Sequence, residues 1–153
     1  MNASVTRGII VAAAALVLIA VNWSIAAKER IKTHGERIFL ELAPVDPRSL
    51  MQGDYMALRF AIADQLSTDA SGSAALRVDA RGVATLDPEP RVGGLRIRYR
   101  IRNGSVWLGT NAYFFEEGTA ARYEGARYGE FRVDRDSGEA VLVGLKMGSD
   151  PIN

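Results

Sequence analysis

The longest uninterrupted hydrophobic stretch lies at the start of the chain, where residues 8–27 (GIIVAAAALVLIAVNWSIAA) carry no charge. As a helix rising ~1.5 Å per residue, this run reaches about 30 Å, the thickness of a bilayer's hydrocarbon core. Trp23 and Asn22 sit near one end, at the depth an interface favours, and Lys28, Arg30 and Lys32 close the run. The charged continuation 28–36 reads as a stalk, with Thr33-His34-Gly35 as the helix stop.

Beyond the stalk the period changes from helical to two. Ile38, Leu40 and Leu42 alternate with Phe39 and Glu41, the pattern of a half-buried strand. A loop stiffened by Pro44 and Pro47 leads to a second strand expected over 55–63. Residues 64–75, rich in Ser, Ala, Asp and Gly, read as a surface loop with room for a helical turn. Residues 76–86 read as a hairpin turning near Asp79 to Gly82, and Pro88 and Pro90 interrupt the chain beyond it. In the clearest strand, Leu95, Ile97, Tyr99 and Ile101 alternate with Arg96, Arg98, Arg100 and Arg102, and Asn103-Gly104 makes a two-residue turn into 105–108. Residues 111–115 extend or resume that strand, 116–125 hold either a short helix or an ordered loop, and 128–133 and 139–146 form a last hairpin. The expected fold is therefore mainly β and antiparallel, with about seven strands and at most one short helix, preceded by a single N-terminal transmembrane helix. The expected divisions are a tail over 1–7, the membrane helix 8–27, the stalk 28–36 and one β domain over 37–153.

The leader admits three readings: an uncleaved signal anchor, a signal peptide cut after Ser24-Ile25-Ala26, or a buried helix of a soluble protein. The first two both export the domain. Flanking charge pulls the other way, since Lys28, Arg30, Lys32 and Arg37 follow the helix while Arg7 and the amino terminus precede it. That bias is weaker for long translocated domains, so the anchored, extracytoplasmic reading is preferred.

Composition mostly excludes. With 19 basic and 18 acidic residues there is no net field to collect polyanions, and nucleic acid is not an expected partner. No cysteine is present, which removes disulfides, thiolate metal sites and cysteine nucleophiles. The single histidine, His34, lies beside the stalk, so neither a histidine triad nor a multi-histidine metal site is available to the domain.

The segment from Pro44 to Phe60 contains GDYMALRF at 53–60, and residues 113–133 read YFFEEGTAARYEGARYGEFRV. Both blocks resemble the bacterial family named for its GDYxxLxY signature, with Phe60 where the pattern ends in Tyr, over about residues 37–145. The resemblance implies a membrane-tethered protein with a β-rich domain and brings no settled chemistry. The two blocks supply one candidate functional or structural cluster: Asp46, Arg48, Gly53, Asp54 and Tyr55 from the first, and Glu116, Glu117, Tyr123, Arg127 and Tyr128 from the second.

Elementary chemistry favours scaffolding roles for most of these residues. Gly53 permits a positive φ or a close backbone approach, and Asp54 can accept turn amides or pair with an arginine. Asp46 and Asp54 alone fall short of the six or more oxygens a Ca²⁺ site needs, so no metal or cofactor is expected. The first block is also similar in turn architecture to the nucleophile segment of signal peptidases and related Ser/Lys proteases. Aligned on Gly53-Asp54, however, the nucleophile position falls on Val45, and Lys146 is the one lysine after residue 32. Glu116 and Glu117 diverge as neighbours and are expected to pair with Arg122 or Arg127. Tyr123 and Tyr128 are expected to be packing groups with hydroxyl anchors.

The arginine stripe at Arg96, Arg98, Arg100 and Arg102 is the least ordinary feature, because like charges on one strand face repel unless acids or ligands lie opposite. Asp79, Glu130 and Asp134 are the expected acids. Failing them, the stripe is a candidate anion site for lipid headgroups, an acidic cell-wall polymer or a partner's acidic face. The sequence thus points to an inner-membrane, single-pass accessory or binding domain working with an integral membrane partner. The alternative is a cell-envelope hydrolase acting on a polysaccharide, built around Asp54, Glu116, Glu117, Arg127 and Tyr128.

Overall fold

The computed structural model describes residues 3–43, 51–52 and 55–148. The expected sites Asp46, Arg48, Gly53 and Asp54, with most of the proline-stiffened loop, lie outside the described residues. One continuous helix, α1 (Ala3–His34), precedes ten strands among the described residues: β1 (Glu36–Glu41), β2 (Met51–Gln52), β3 (Tyr55–Ala57), β4 (Gly72–Val78), β5 (Ala84–Leu86), β6 (Arg96–Arg102), β7 (Ser105–Trp107), β8 (Ala112–Phe114), β9 (Ala126–Val133) and β10 (Ala140–Met147). Two short 3₁₀ turns occupy Ala61–Gln65 and Ala120–Arg122. The mainly β, antiparallel expectation with one N-terminal helix therefore holds. The strand number is higher than seven because several pairings are only two or three residues long.

Among the described residues all ladders are antiparallel, in three sheets of order β1-β9-β10, β2-β3-β8 and β5-β4-β6-β7. Period-two patterning produces the core directly: Ile38 and Leu40 from β1, Leu76 from β4, Ile97 from β6, and Phe131 and Val133 from β9 converge in one buried cluster. Phe60 and Phe131 meet edge to face there, with centroids 5.1 Å apart. Turn chemistry sets the connections. Asn103 and Gly104 both take positive φ (50° and 72°), the conformation a two-residue hairpin requires, and they fix the β6–β7 register at Arg102↔Ser105 and Arg100↔Trp107. Asp79 Oδ1 accepts from the amides of Arg81 (2.8 Å) and Val83 (2.9 Å), closing the β4–β5 turn. Asp134 Oδ1 accepts from the amide and hydroxyl of Ser137, both at 2.8 Å, closing β9–β10.

Three expectations need correction. The strand expected over 55–63 ends at Ala57: Met56, Leu58, Phe60 and Ile62 keep period-two burial, but beyond Ala57 only single bonds such as Leu58 N–H to Asn111 O (2.7 Å) and an isolated Leu42↔Phe60 bridge continue it. The surface loop expected over 64–75 becomes strand from Gly72, since small residues pair with β6 in the register Gly72↔Tyr99 to Ala75↔Arg96. Phe39, expected to face outward, is buried in a second small cluster with Val83 and Tyr128, because the β4–β5 turn folds over it and Phe39 N–H bonds Gly82 O at 2.9 Å.

Helix α1 is long and apolar enough to cross a membrane, and none of its most apolar window is buried by the rest of the chain. It is therefore not a core helix. Asn22, inside the apolar length, satisfies its side-chain amide on Leu18 O at 2.9 Å. The end of the helix is fixed to the domain. Ile31 is buried, Lys28 pairs with Glu139, Arg132 Nη1 donates to Gly35 O at 3.2 Å, and Gly35 N–H donates to Ile31 O at 2.8 Å. A Cβ at Gly35 would sit 3.0 Å from Val133 N and 3.1 Å from Arg132 Cβ, so glycine allows the helix to turn into β1 against β9. The charged stretch after the apolar run is thus packed on the β9–β10 hairpin, and is no free spacer.

Candidate functional site

The arginine strand β6 has the expected two faces, with Ile97 buried, Tyr99 and Ile101 half-buried, and Arg96, Arg98, Arg100 and Arg102 exposed. The expected acids do not cover it. Asp79 is held by its own turn and by Arg81, Asp134 by Ser137, and Glu130 lies 3.9 Å from Lys146. Among the described residues no acid forms an ion pair with any of the four arginines. Arg96 donates to Ser73 Oγ and O at 3.0 Å, and the Arg102 guanidinium lies 5.2 Å from the centroid of the Trp107 ring. The misjudgement has a local cause: a short acidic side chain in a turn takes the nearest backbone amides before it can reach a neighbouring strand. Both turn carboxyls are accordingly held below the usual carboxylate range, Asp79 chiefly by the Val83 amide and Asp134 chiefly by the Ser137 amide.

The stripe opens onto a cleft of about 490 Å³ that it shares with α1. Arg98, Arg100, Arg102 and Trp107 form one side, Ser24 and Lys28 of α1 another, and Glu139 to Leu142 of the β10 end the third. The β9–β10 turn holds this arrangement through Arg98 N–H, which donates to Gly138 O at 2.7 Å. A second cleft of about 690 Å³ lies where Leu58 to Leu66 meets Gly104 to Val106, and its Arg59 and Asp64 pair with each other at 2.6 Å.

The two motif blocks come together in part. Tyr55 of β3 and Phe114 of β8 are register partners with rings 5.7 Å apart. Tyr123 stacks on Phe115 (5.4 Å) and meets Tyr113 edge-on (5.3 Å), as expected of a packing group. Burial, reinforced by the bond to Tyr123, pushes the Tyr113 hydroxyl up. Tyr128 is buried against Phe39 and Val83, while Arg127 is exposed and its carbonyl accepts from Leu42 N–H at 2.8 Å. The expected ion network is not formed: Glu116 and Glu117 are exposed, and neither pairs with Arg122 or Arg127, because the turn 116–119 points both acids outward. No group of three or more acids or histidines able to hold a metal occurs among the described residues.

The family model described as GDYXXLXY protein matches residues 17–145. The chain belongs to the GDYXXLXY family. No curated protein and no solved structure matches it. The matched span begins inside the apolar helix and ends in β10, so the GDYXXLXY unit takes in the joint between helix and domain as well as the strands. Sequence reasoning named the arginines of the cleft but missed Trp107, Lys28 and Glu139. Trp107 was within reach, since a two-residue turn at Asn103-Gly104 places it opposite Arg100. Lys28 and Glu139 are 111 positions apart and carry no such signal.

Proposed function

We propose that this GDYXXLXY protein is an extracytoplasmic accessory domain, anchored in a bacterial inner membrane by α1 and acting with an integral membrane partner. The observation that supports the reading is the contrast along one helix. Its apolar length is uncovered, with Leu16, Leu18 and Ile19 at 60% exposure or more, while its charged end is fastened to β9 and β10 through Ile31, Lys28 and Arg132. A helix that served only as a tether would need no such fastening. A fixed joint lets an event at the helix within the bilayer set the position of the domain above it, and the reverse.

Site-specific photo-crosslinking in living cells tests this proposal. A photoreactive residue at Leu16 or Ile19 is expected to give one reproducible adduct with an integral membrane protein, and Phe114→Ala is expected to leave that adduct in place. Adducts with lipid alone at every helix position would contradict the proposed partner.

A further inference from the structure

We propose that the cleft between β6 and α1 binds the phosphate of an anionic phospholipid headgroup, so that the domain rests on the membrane surface through its arginine strand. The inference relies on α1 crossing the membrane, as in the reading above. It adds a ligand to a defined site.

Position carries the first part of the argument. Ser24 and Lys28 lie on consecutive turns of the helix, about 6 Å apart at ~1.5 Å per residue, and Lys28 is the first charge after the apolar run. The cleft they line therefore sits at the boundary between hydrocarbon and headgroups, and Arg98, Arg100 and Arg102 line the same cleft. Charge carries the second part. The lining holds four cations and one carboxylate, and that carboxylate, Glu139, is paired with Lys28. Arg98 and Arg100 are exposed and form no ion pair among the described residues. Mutual repulsion on one strand face is relieved by an external anion, and the planar guanidinium fork suits phosphate oxygens. Trp107, half-buried and beside the Arg102 guanidinium, supplies the amphipathic ring that the headgroup layer favours. A solvated arginine face needs neither the indole nor the location, and both occur at this cleft.

The test uses the full chain in an uncharged detergent. Trp23→Phe leaves Trp107 as the only indole, because the sequence has two tryptophans. Fluorescence of Trp107 is followed during titration with dihexanoyl phosphatidylglycerol, dihexanoyl phosphatidylcholine, inorganic phosphate or polyglutamate. The expected result is saturation by phosphatidylglycerol at a concentration at least about tenfold below phosphatidylcholine. Each arginine near an anionic surface is worth about a fivefold change, so Arg98→Gln with Arg100→Gln weakens binding about 25-fold. Arg91→Gln, an exposed arginine that does not line the cleft, leaves it unchanged. Equal response to the two lipids, or an unchanged affinity in the double variant, overturns the proposal. Inorganic phosphate acting as strongly as the lipid makes the cleft a free-anion site, and polyglutamate binding more tightly than the lipid assigns it to an acidic macromolecule. Either result also overturns the proposal. None of these outcomes depends on which side of the membrane the domain occupies, so failure here is distinguishable from failure of the anchored, extracytoplasmic reading.

Discussion

Two glycines of the β9–β10 hairpin should respond in opposite directions to the same substitution. A Cβ at Gly129 would lie 2.8 Å from Phe60 Cε1 and 3.1 Å from both Phe131 Cε2 and Leu142 Cδ1, whereas a Cβ at Gly144 meets nothing within 4 Å. Carbon atoms pack comfortably at about 3.5–4.0 Å, so Gly129→Ala must push at least one ring by roughly 0.7 Å. Phe60 and Phe131 are 1% and 0% exposed and have no solvent to yield into. Overpacking of this kind costs about 1–3 kcal/mol. In a domain of roughly a hundred residues, each kcal/mol moves Tm by about 4–8 °C, so Tm should fall by between about 4 and 24 °C. Neither glycine has a positive φ, so Gly144→Ala strains nothing and restricts the unfolded chain, a gain of about 0.4–1 kcal/mol. Thermal unfolding of the full chain in detergent, followed by near-UV circular dichroism, reads both shifts. Equal shifts for the two variants, or an unaltered Tm for Gly129→Ala, would refute the packing described for Phe60 and Phe131.

Gly104→Ala should cost about 1 kcal/mol, because the type of turn it forms with Asn103 requires positive φ at both positions; Gly104→Asn should recover most of that loss in the same unfolding assay. Asp79 and Asp134 have depressed pKa values, so their contribution is present above the ordinary carboxylate value of about 3.9 and is lost as pH falls through the lower folded values. The Asp79→Ala, Asp134→Ala variant should therefore be less stable than the parent at pH 7, with the gap closing below about pH 4; a gap of constant size from pH 7 to pH 2 would oppose the turn assignments. Ile31→Asp places a charge where 6% exposure leaves little water, and should release the helix from the hairpin, seen as faster trypsin cleavage after Lys32 with the β domain still folded.

Much of the fold was legible wherever local chemistry decides. Strand β6 could be read residue by residue because four apolar positions alternate with four arginines and a two-residue turn follows. Strand β1 and the β9–β10 hairpin were readable for the same reason. The first half of strand β4 was not, since Gly72, Ser73, Ala74 and Ala75 have loop composition. Their smallness makes sense only beside Tyr99, whose hydroxyl lies 3.2 Å from the Cβ position of Gly72. Residues 58–63 show the converse: their burial period is that of a strand, yet no full ladder forms, and Ala63 N–H turns back to Phe60 O at 2.9 Å.

The candidate site divides along the same line. That β6 would present arginines outward was readable from alternation, but what faces them was not. Asp79 and Asp134 were consumed by turns and Glu130 lies beside Lys146, and the neighbours that share the stripe's cleft, Lys28 and Glu139, are brought in by the docking of α1 on the β9–β10 hairpin. The tyrosines of the second motif block behave as packing groups, while the acids beside them stay outside the core.

The central claim is that α1 spans the membrane and carries the β domain to its outer face, and substituted-cysteine accessibility tests it most directly. The chain has no cysteine of its own, so Ser4→Cys at the start of the helix and Ser105→Cys on β7, both exposed, give single reporters on a silent background. A membrane-impermeant maleimide applied to intact spheroplasts should label Ser105→Cys and leave Ser4→Cys unlabelled until the membrane is lysed. Labelling of Ser4→Cys with protection of Ser105→Cys would place the domain on the cytoplasmic side and contradict the account.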